Sequence, residues 1–277
     1  MPRGIIGFYV LWLQRVAQTC AARGHHEIAI SLFHTCLGWM QRMEDPKGEG
    51  IMHHNLGLVH QFKGDIRGAA VHYSRALSLE ELAKDWTHMA QTLLALAGCQ
   101  KELGDSEKAR DTYNRAYLFA IQAEFPTAQA ASCQYGAELA EDACDYVAAL
   151  EHWARLMRIA EENDLQRMHT FAANQRARLH LETGLLSDAA SEAEVALKLA
   201  ETYRDTYNAG LAHATIGELC VKSQAWSRAL HHLTQAERLL SKSAGKDRVR
   251  VQKGLEKAYR ALGDEAEARR YGIIGQE

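Results

Sequence analysis

His54-Asn55-Leu56-Gly57-Leu58-Val59-His60-Gln61-Phe62-Lys63-Gly64-Asp65, followed by Ala69, Tyr73, Ala76 and Leu77, is the stretch whose pattern decides the fold. A large residue beside a small one, Leu56-Gly57, precedes a glycine at which a helix can end, because glycine accepts the left-handed conformation such an end requires. Beyond it, Ala69, Tyr73 and Ala76 are spaced by four and three residues, which puts them on one face of a second helix. The stretch therefore specifies helix, short turn, helix. Working outward, the turn position recurs as Gly24, Gly64, Gly104, Cys144, Gly184 and Gln224 at intervals of 40, with Gly263 after 39. Five residues past each turn stands an alanine: Ala29, Ala69, Ala109, Ala149, Ala189, Ala229 and Ala268. Four further on come Phe33, Tyr73, Tyr113 and Trp153, then Ala193 and Leu233; three beyond those lie Cys36, Ala76, Ala116, Leu156, Ala196 and Ala236. Fixed-period similarity of this kind marks a stacked-repeat architecture.

The first helix of other units carries the same large-small pair at Leu96-Ala97 and Ile216-Gly217. The pattern resembles the tetratricopeptide repeat, with a small residue midway in helix A, glycine at the turn, then alanine, an aromatic and alanine along helix B. The resemblance implies an all-α fold, a right-handed α-solenoid of helix-turn-helix repeats. It extends over nearly the whole chain: repeats at about 6–44, 45–84, 85–124, 125–163, 164–204 and 205–246 and a partial one at 247–277, in a single superhelical domain spanning 1–277. Two departures stand out. The period is 40, where the common form has about 34, and the proline that usually closes helix B is absent. Asp45, Asp85, Asp164 and Asp205 are expected to replace it by accepting hydrogen bonds from the orphan N–H groups of the next helix. Units of this length look like those of Pins-type spindle-orientation adaptors, kinesin light chains and some ciliary dynein-assembly proteins, which implies binding of peptides or proteins.

In the tetratricopeptide family the A helices line the concave side. Counting back from each turn, the candidate groove residues are His54 and Asn55 in the second unit, Gln134, Tyr135 and Glu138 in the fourth, and Asn174, Gln175 and Arg178 in the fifth. Asn and Gln offer both a donor and an acceptor and so can pair with a peptide backbone; Asn55, Gln134, Asn174 and Gln175 are first choices for that role. The alternative is that these residues simply solvate an exposed helical face. Lys253, Lys257 and Arg260 give the C-terminal end a basic character. The two Lys, two Asn and Arg of the chaperone-tail clamp are missing apart from Asn55, which argues against capture of a C-terminal carboxylate of that type.

Other chemistries find little support. Composition is 47% hydrophobic and 24% charged with net charge -3, giving no nucleic-acid or anionic-membrane bias. Lys242, Lys246, Arg248, Arg250 and Lys253 lack interleaved aromatics, so they suggest a solvated helix and not a nucleic-acid surface. Six cysteines without a C-x-x-C pair give neither a zinc pattern nor a disulfide framework and read as reduced, packed thiols in a cytoplasmic protein. Among fourteen histidines, His53 and His60 share one helix face, but no matching carboxylate or cysteine is evident, so neither metal nor cofactor is expected. The apolar run Ile5 to Leu13 is too short to span a membrane; it continues at helical spacing into Val16, Ala17 and Cys20 and is taken as a first amphipathic helix, with a cleaved or anchoring segment as the alternative.

The expected function is a non-catalytic adaptor holding a linear segment of an unidentified protein partner in its groove. The alternative is a structural subunit of a larger assembly or homodimer, suggested by the apolar stretches Ile5 to Leu13 and Tyr271 to Ile274.

Overall fold

The computed structural model describes residues 3–241 and 245–274, with 3–6 and 273–274 described as backbone only. Met1 and Lys242 therefore lie outside the described residues, as do the side chains of Ile5, Ile6, Ile273 and Ile274. The described residues are all-α, with helices α1 (Arg3–Ala22), α2 (His26–Arg42), α3 (Pro46–Phe62), α4 (Ile66–Ala83), α5 (Trp86–Glu102), α6 (Ser106–Gln122), α7 (Pro126–Asp142), α8 (Tyr146–Glu162), α9 (Gln166–Glu182), α10 (Leu186–Thr202), α11 (Thr206–Lys222), α12 (Trp226–Leu239), α13 (Lys246–Ala261) and α14 (Glu265–Ile274). Odd-numbered helices are the A helices and even-numbered ones the B helices. They form two compact units, Met1–Leu139 and Ala140–Glu277. Within each, consecutive helices pack as antiparallel hairpins, the arrangement of a tetratricopeptide-like α-solenoid.

The turns explain the regularity. Every expected turn residue, Gly24, Gly64, Gly104, Cys144, Gly184, Gln224 and Gly263, has φ between 58° and 86°. The reverse turns, from each B helix to the next A helix, use the same device at Glu44, Lys84, Glu124, Asp164 and Arg204, with φ of 48–55°. A left-handed residue thus falls every 20 positions from 24 to 224. At each, the N–H of the following residue returns to a carbonyl five back, as in Asp65 N to His60 O (2.9 Å) and Asp85 N to Glu80 O (2.9 Å). Glycine is favoured at only one class of turn, which is why the sequence displays the 40-residue period and conceals the shorter one.

Capping follows the expected logic with two corrections. Asp45, Asp85 and Asp205 accept from the N–H groups of Gly48 (3.0 Å), His88 (3.3 Å) and Asn208 (3.1 Å). Asp164 does not cap: it is itself the left-handed turn residue, and Leu165 occupies the cap position. Proline is also present at this junction, since Pro46 and Pro126 are the first residues of α3 and α7, where the missing N–H costs nothing. Asp65 and Asp145 cap B helices in the same way, accepting from Gly68 (2.9 Å) and Ala148 (3.1 Å).

The repeated positions form the core. The seven alanines that follow the turns, the residues four further on and those three beyond are all at most 2% exposed. The large B-helix residue presses on the small A-helix residue: a Cβ on Gly57 would lie 2.5 Å from the Tyr73 ring, and one on Gly217 would lie 2.6 Å from Leu233. Burial of the apolar side chains supplies the main favourable term, about 25 cal/mol per Å².

Candidate functional site

Each unit carries a groove walled by A helices. In the first, an opening of about 650 Å³ is bounded by His54, Leu58 and Gln61 of α3, by Gln91, Ala95 and Gly98 of α5, and by Ala131, Tyr135 and Glu138 of α7. Its space comes from small residues: a Cβ added at Gly98 would meet nothing within 4 Å. Tyr135 stands at the wall, stacked on the buried Tyr113 with ring centroids 5.0 Å apart. Gln134 donates to Glu138 at 3.0 Å, while Gln61 accepts from the Tyr73 hydroxyl at 3.1 Å and donates to Glu102 at 3.4 Å. Three of the five candidates in this unit, His54, Tyr135 and Glu138, thus converge on one opening. Asn55 is 8% exposed and its amide donates to the Ile51 carbonyl of its own helix (3.0 Å), so it is a packing residue.

In the second unit the groove, about 700 Å³, lies among Glu141 of α7, Gln175, Arg178 and Glu182 of α9, and Lys246, Val249, Arg250 and Lys253 of α13. Arg178 is the hub. It donates to Gln175 (2.8 Å) and Glu182 (2.8 Å) and pairs with Glu141, whose other oxygen accepts from the Trp153 indole at 2.8 Å. Arg250 pairs with Glu218 and donates to Thr215 at 3.1 Å. Burial lifts the Glu218 carboxyl above its ordinary range, against the pull of Arg250. Gln175 and Arg178 both line this opening. Asn174 does not: it is 3% exposed and donates to the Asn208 carbonyl at 3.0 Å, tying α9 to α11.

Behind the first groove lies a chain of buried polar groups that the sequence did not announce. Glu80 of α4 is 1% exposed; its Oε1 accepts from the Thr92 hydroxyl of α5 at 2.9 Å, and Oε2 has no hydrogen-bond partner. Thr92 Oγ1 is in turn 2.8 Å from Nδ1 of His54. Burial pushes the Glu80 carboxyl up to about 7, and burial together with nearby His88 pushes His54 down to about 4. A signal for Glu80 does exist, because the equivalent position in five other repeats is Met40, Ala120, Ala160, Ala200 and Leu240, all buried. A glutamate amid these is an anomaly.

The histidines pair with one another. Nδ1 of His53 lies 3.1 Å from Nδ1 of His72, and four repeats later His213 and His232 repeat the arrangement at 3.0 Å. Burial lowers all four below the usual histidine range. Among the described residues no group of three or more His, Cys, Asp or Glu is placed to hold a metal. Cys36, Cys99, Cys133 and Cys220 are buried, while Cys144 is exposed at its turn. No helix among the described residues is long and apolar enough to cross a membrane.

The tetratricopeptide repeat family profile matches residues 49–119, which take in most of α3, all of α4 and α5, most of α6 and the turns at Gly64 and Gly104. These residues are tetratricopeptide repeats. No curated protein matches the chain in sequence. Solved structures extend the likeness over the rest of the chain, as a fold. A signal transduction ATPase with numerous domains, bearing a tetratricopeptide repeat sensor, from Pyrococcus horikoshii superposes with a TM-score of 0.80 at 11% identity; the match covers 95% of this chain and 41% of that one. A Rap protein complexed with competence and sporulation factor gives 0.60 at 16%, covering 96% and 74%. BtubC from P. vanneervenii gives 0.64 at 17%, covering 76% and 89%.

Proposed function

We propose that the protein is an interaction scaffold whose A-helix grooves take an extended segment of a partner polypeptide. The observation that carries this is the first groove, where Ala95, Gly98 and Ala131 leave room beside the exposed edge of Tyr135 and the amides of Gln61 and Gln91. An aromatic surface with adjacent donors and acceptors suits a backbone flanked by apolar side chains. The second groove, with Gln175 and Arg178 beside the exposed Lys246 and Lys253, suits a segment of mixed charge. The Rap protein bound to competence and sporulation factor supports a binding role for this fold. Selection from a displayed peptide library, with affinities then compared on wild type and on Gly98→Arg, tests the proposal. A Cβ at this helical position meets nothing within 4 Å, so an arginine side chain extends from it into the groove, and a loss of at least ~10-fold is expected. Peptides that all bind the variant as tightly as wild type refute it.

A second reading, packing into a larger assembly or homodimer, is favoured by α1, where Phe8, Leu11 and Trp12 are 76%, 62% and 54% exposed. Light scattering on wild type and Leu11→Asp distinguishes a homotypic contact from a monomer.

A further inference from the structure

We propose that Glu80, Thr92 and His54 form a proton relay that sets whether the first groove presents a hydrogen-bond acceptor or a hydrogen-bond donor to its guest. The inference deepens the peptide-groove proposal, because His54 is part of that groove's wall.

The argument rests on the number of hydrogens available. A threonine hydroxyl has one proton to give, so the chain from His54 through Thr92 to Glu80 has only two consistent directions. With Glu80 ionised, Thr92 donates to Glu80 Oε1, and His54 must donate to Thr92 from Nδ1. The neutral ring then carries its hydrogen on Nδ1, and Nε2, the nitrogen turned away from Thr92, is a bare acceptor. With Glu80 protonated, the carboxyl donates to Thr92, Thr92 donates to Nδ1, and the ring carries its hydrogen on Nε2 instead. The groove now meets a donor.

Interconversion balances as the uptake of one proton. It attaches at Nε2 from the groove side, the Nδ1 hydrogen passes to Thr92 Oγ1, and the Thr92 hydrogen passes to Glu80 Oε1. His54 stays neutral in both end states, in keeping with its lowered pKa. The relay also gives Glu80, which is 1% exposed, a path by which to exchange its proton with the groove. Glu80 Oε2 is buried without a hydrogen-bond partner, so the proton of the neutral carboxyl belongs on Oε1, where Thr92 can accept it.

The charged groups around Glu80 act in a consistent way. Asp85, the N-cap of α5, disfavours a second negative charge and so favours the protonated form. Its own charge is countered by Lys47 of α3 (2.9 Å), and Nδ1 of His88 of α5 lies within hydrogen-bond distance of it (2.9 Å). Burial is the larger cause: against α3, Glu80 Cγ lies 3.1 Å from where a Cβ on Gly50 would stand. Glu80 accordingly titrates close to neutrality, and both directions of the chain are populated within the physiological range.

The test is the tautomer of His54, read from its two ring nitrogens by nitrogen-15 NMR between pH ~5.5 and ~8.5, with His54→Gln used to assign its resonances. Wild type is expected to move from Nε2–H at the acid end to Nδ1–H at the alkaline end. Thr92→Val, which keeps the shape and removes the hydroxyl, is expected to abolish that pH dependence, and Glu80→Gln to fix one tautomer throughout. A single tautomer across the range in wild type overturns the proposal, as does an unchanged switch in Thr92→Val. The wild-type series decides by itself if a variant fails to fold. No guest is required, so failure of the relay is distinct from failure of peptide binding, which the Gly98→Arg comparison reports.

Discussion

Replacing Glu80 by Gln should make the region around α4 and α5 more stable than wild type in alkali and leave the two alike, up to a constant, in acid. Folding raises the Glu80 carboxyl from 4.5 to about 7. The native state therefore holds a proton that the unfolded chain has released across that interval. A raised pKa contributes stability that is complete below the unfolded value and is lost as pH climbs through the folded one. Integrated from pH ~5 to ~8.5 at about 1.4 kcal/mol per pKa unit, the loss is about 2.5 kcal/mol in wild type and zero in the glutamine variant. Burial at 1% exposure makes solvent screening a small correction. Repeats open locally, so the suitable assay is hydrogen exchange of α4 and α5 amides by mass spectrometry, corrected for intrinsic exchange. The difference in protection between variant and wild type should grow about 70-fold across that range. Histidines with lowered pKa values, such as His72, add their own pH dependence but cancel in the comparison. A difference that stays constant within ~0.5 kcal/mol from acid to alkali refutes the reasoning, because it would mean that Glu80 titrates alike in both states.

Four further outcomes follow from the packing and the turns. Gly57→Ala should lower stability by about 1–3 kcal/mol in chemical denaturation, since its Cβ would fall 2.5 Å from the fully buried Tyr73 ring. Gln224→Gly should raise stability by about 0.5–1 kcal/mol, because its φ of 59° is left-handed, whereas Gly64→Ala at φ 83° should lower it by a similar amount; thermal melts report both. Arg178→Ala should cost about 2–3 kcal/mol by leaving the Glu141 carboxylate without its ion pair, with Glu141→Gln restoring part of the loss in the double variant, as followed by exchange in α8 and α9.

Most of the fold was legible because packing repeats. Alanine, a large residue and a small residue recur along the B helices where the helices meet, and each occurrence confirms the next. The second class of turn stayed hidden because Glu44, Lys84, Glu124, Asp164 and Arg204 share a backbone conformation and no side-chain chemistry. Asp164 looked like a cap for the same reason. The grooves were partly legible: His54, Tyr135, Glu138, Gln175 and Arg178 line them, yet Asn55 and Asn174 face inward, because residues adjacent on a helix differ by about 100° and counting from a turn does not resolve that angle near an edge. Glu80 was overlooked in Leu79-Glu80-Glu81-Leu82, where it resembles an ordinary solvated charge until it is set beside its counterparts in the other repeats.

The evenly spaced left-handed residues constrain how such a chain can change length. Removing 40 residues joins one hairpin to the next with every face in phase, so loss or duplication of a whole hairpin is a conservative event. Removing 20 also restores a turn, since the backbone is the same at both, but it sets a helix built to present Tyr73-like bulk where one built around Gly57-like hollows belongs. Growth and shrinkage of the array are therefore quantised in pairs of helices, although its backbone alone would permit single ones.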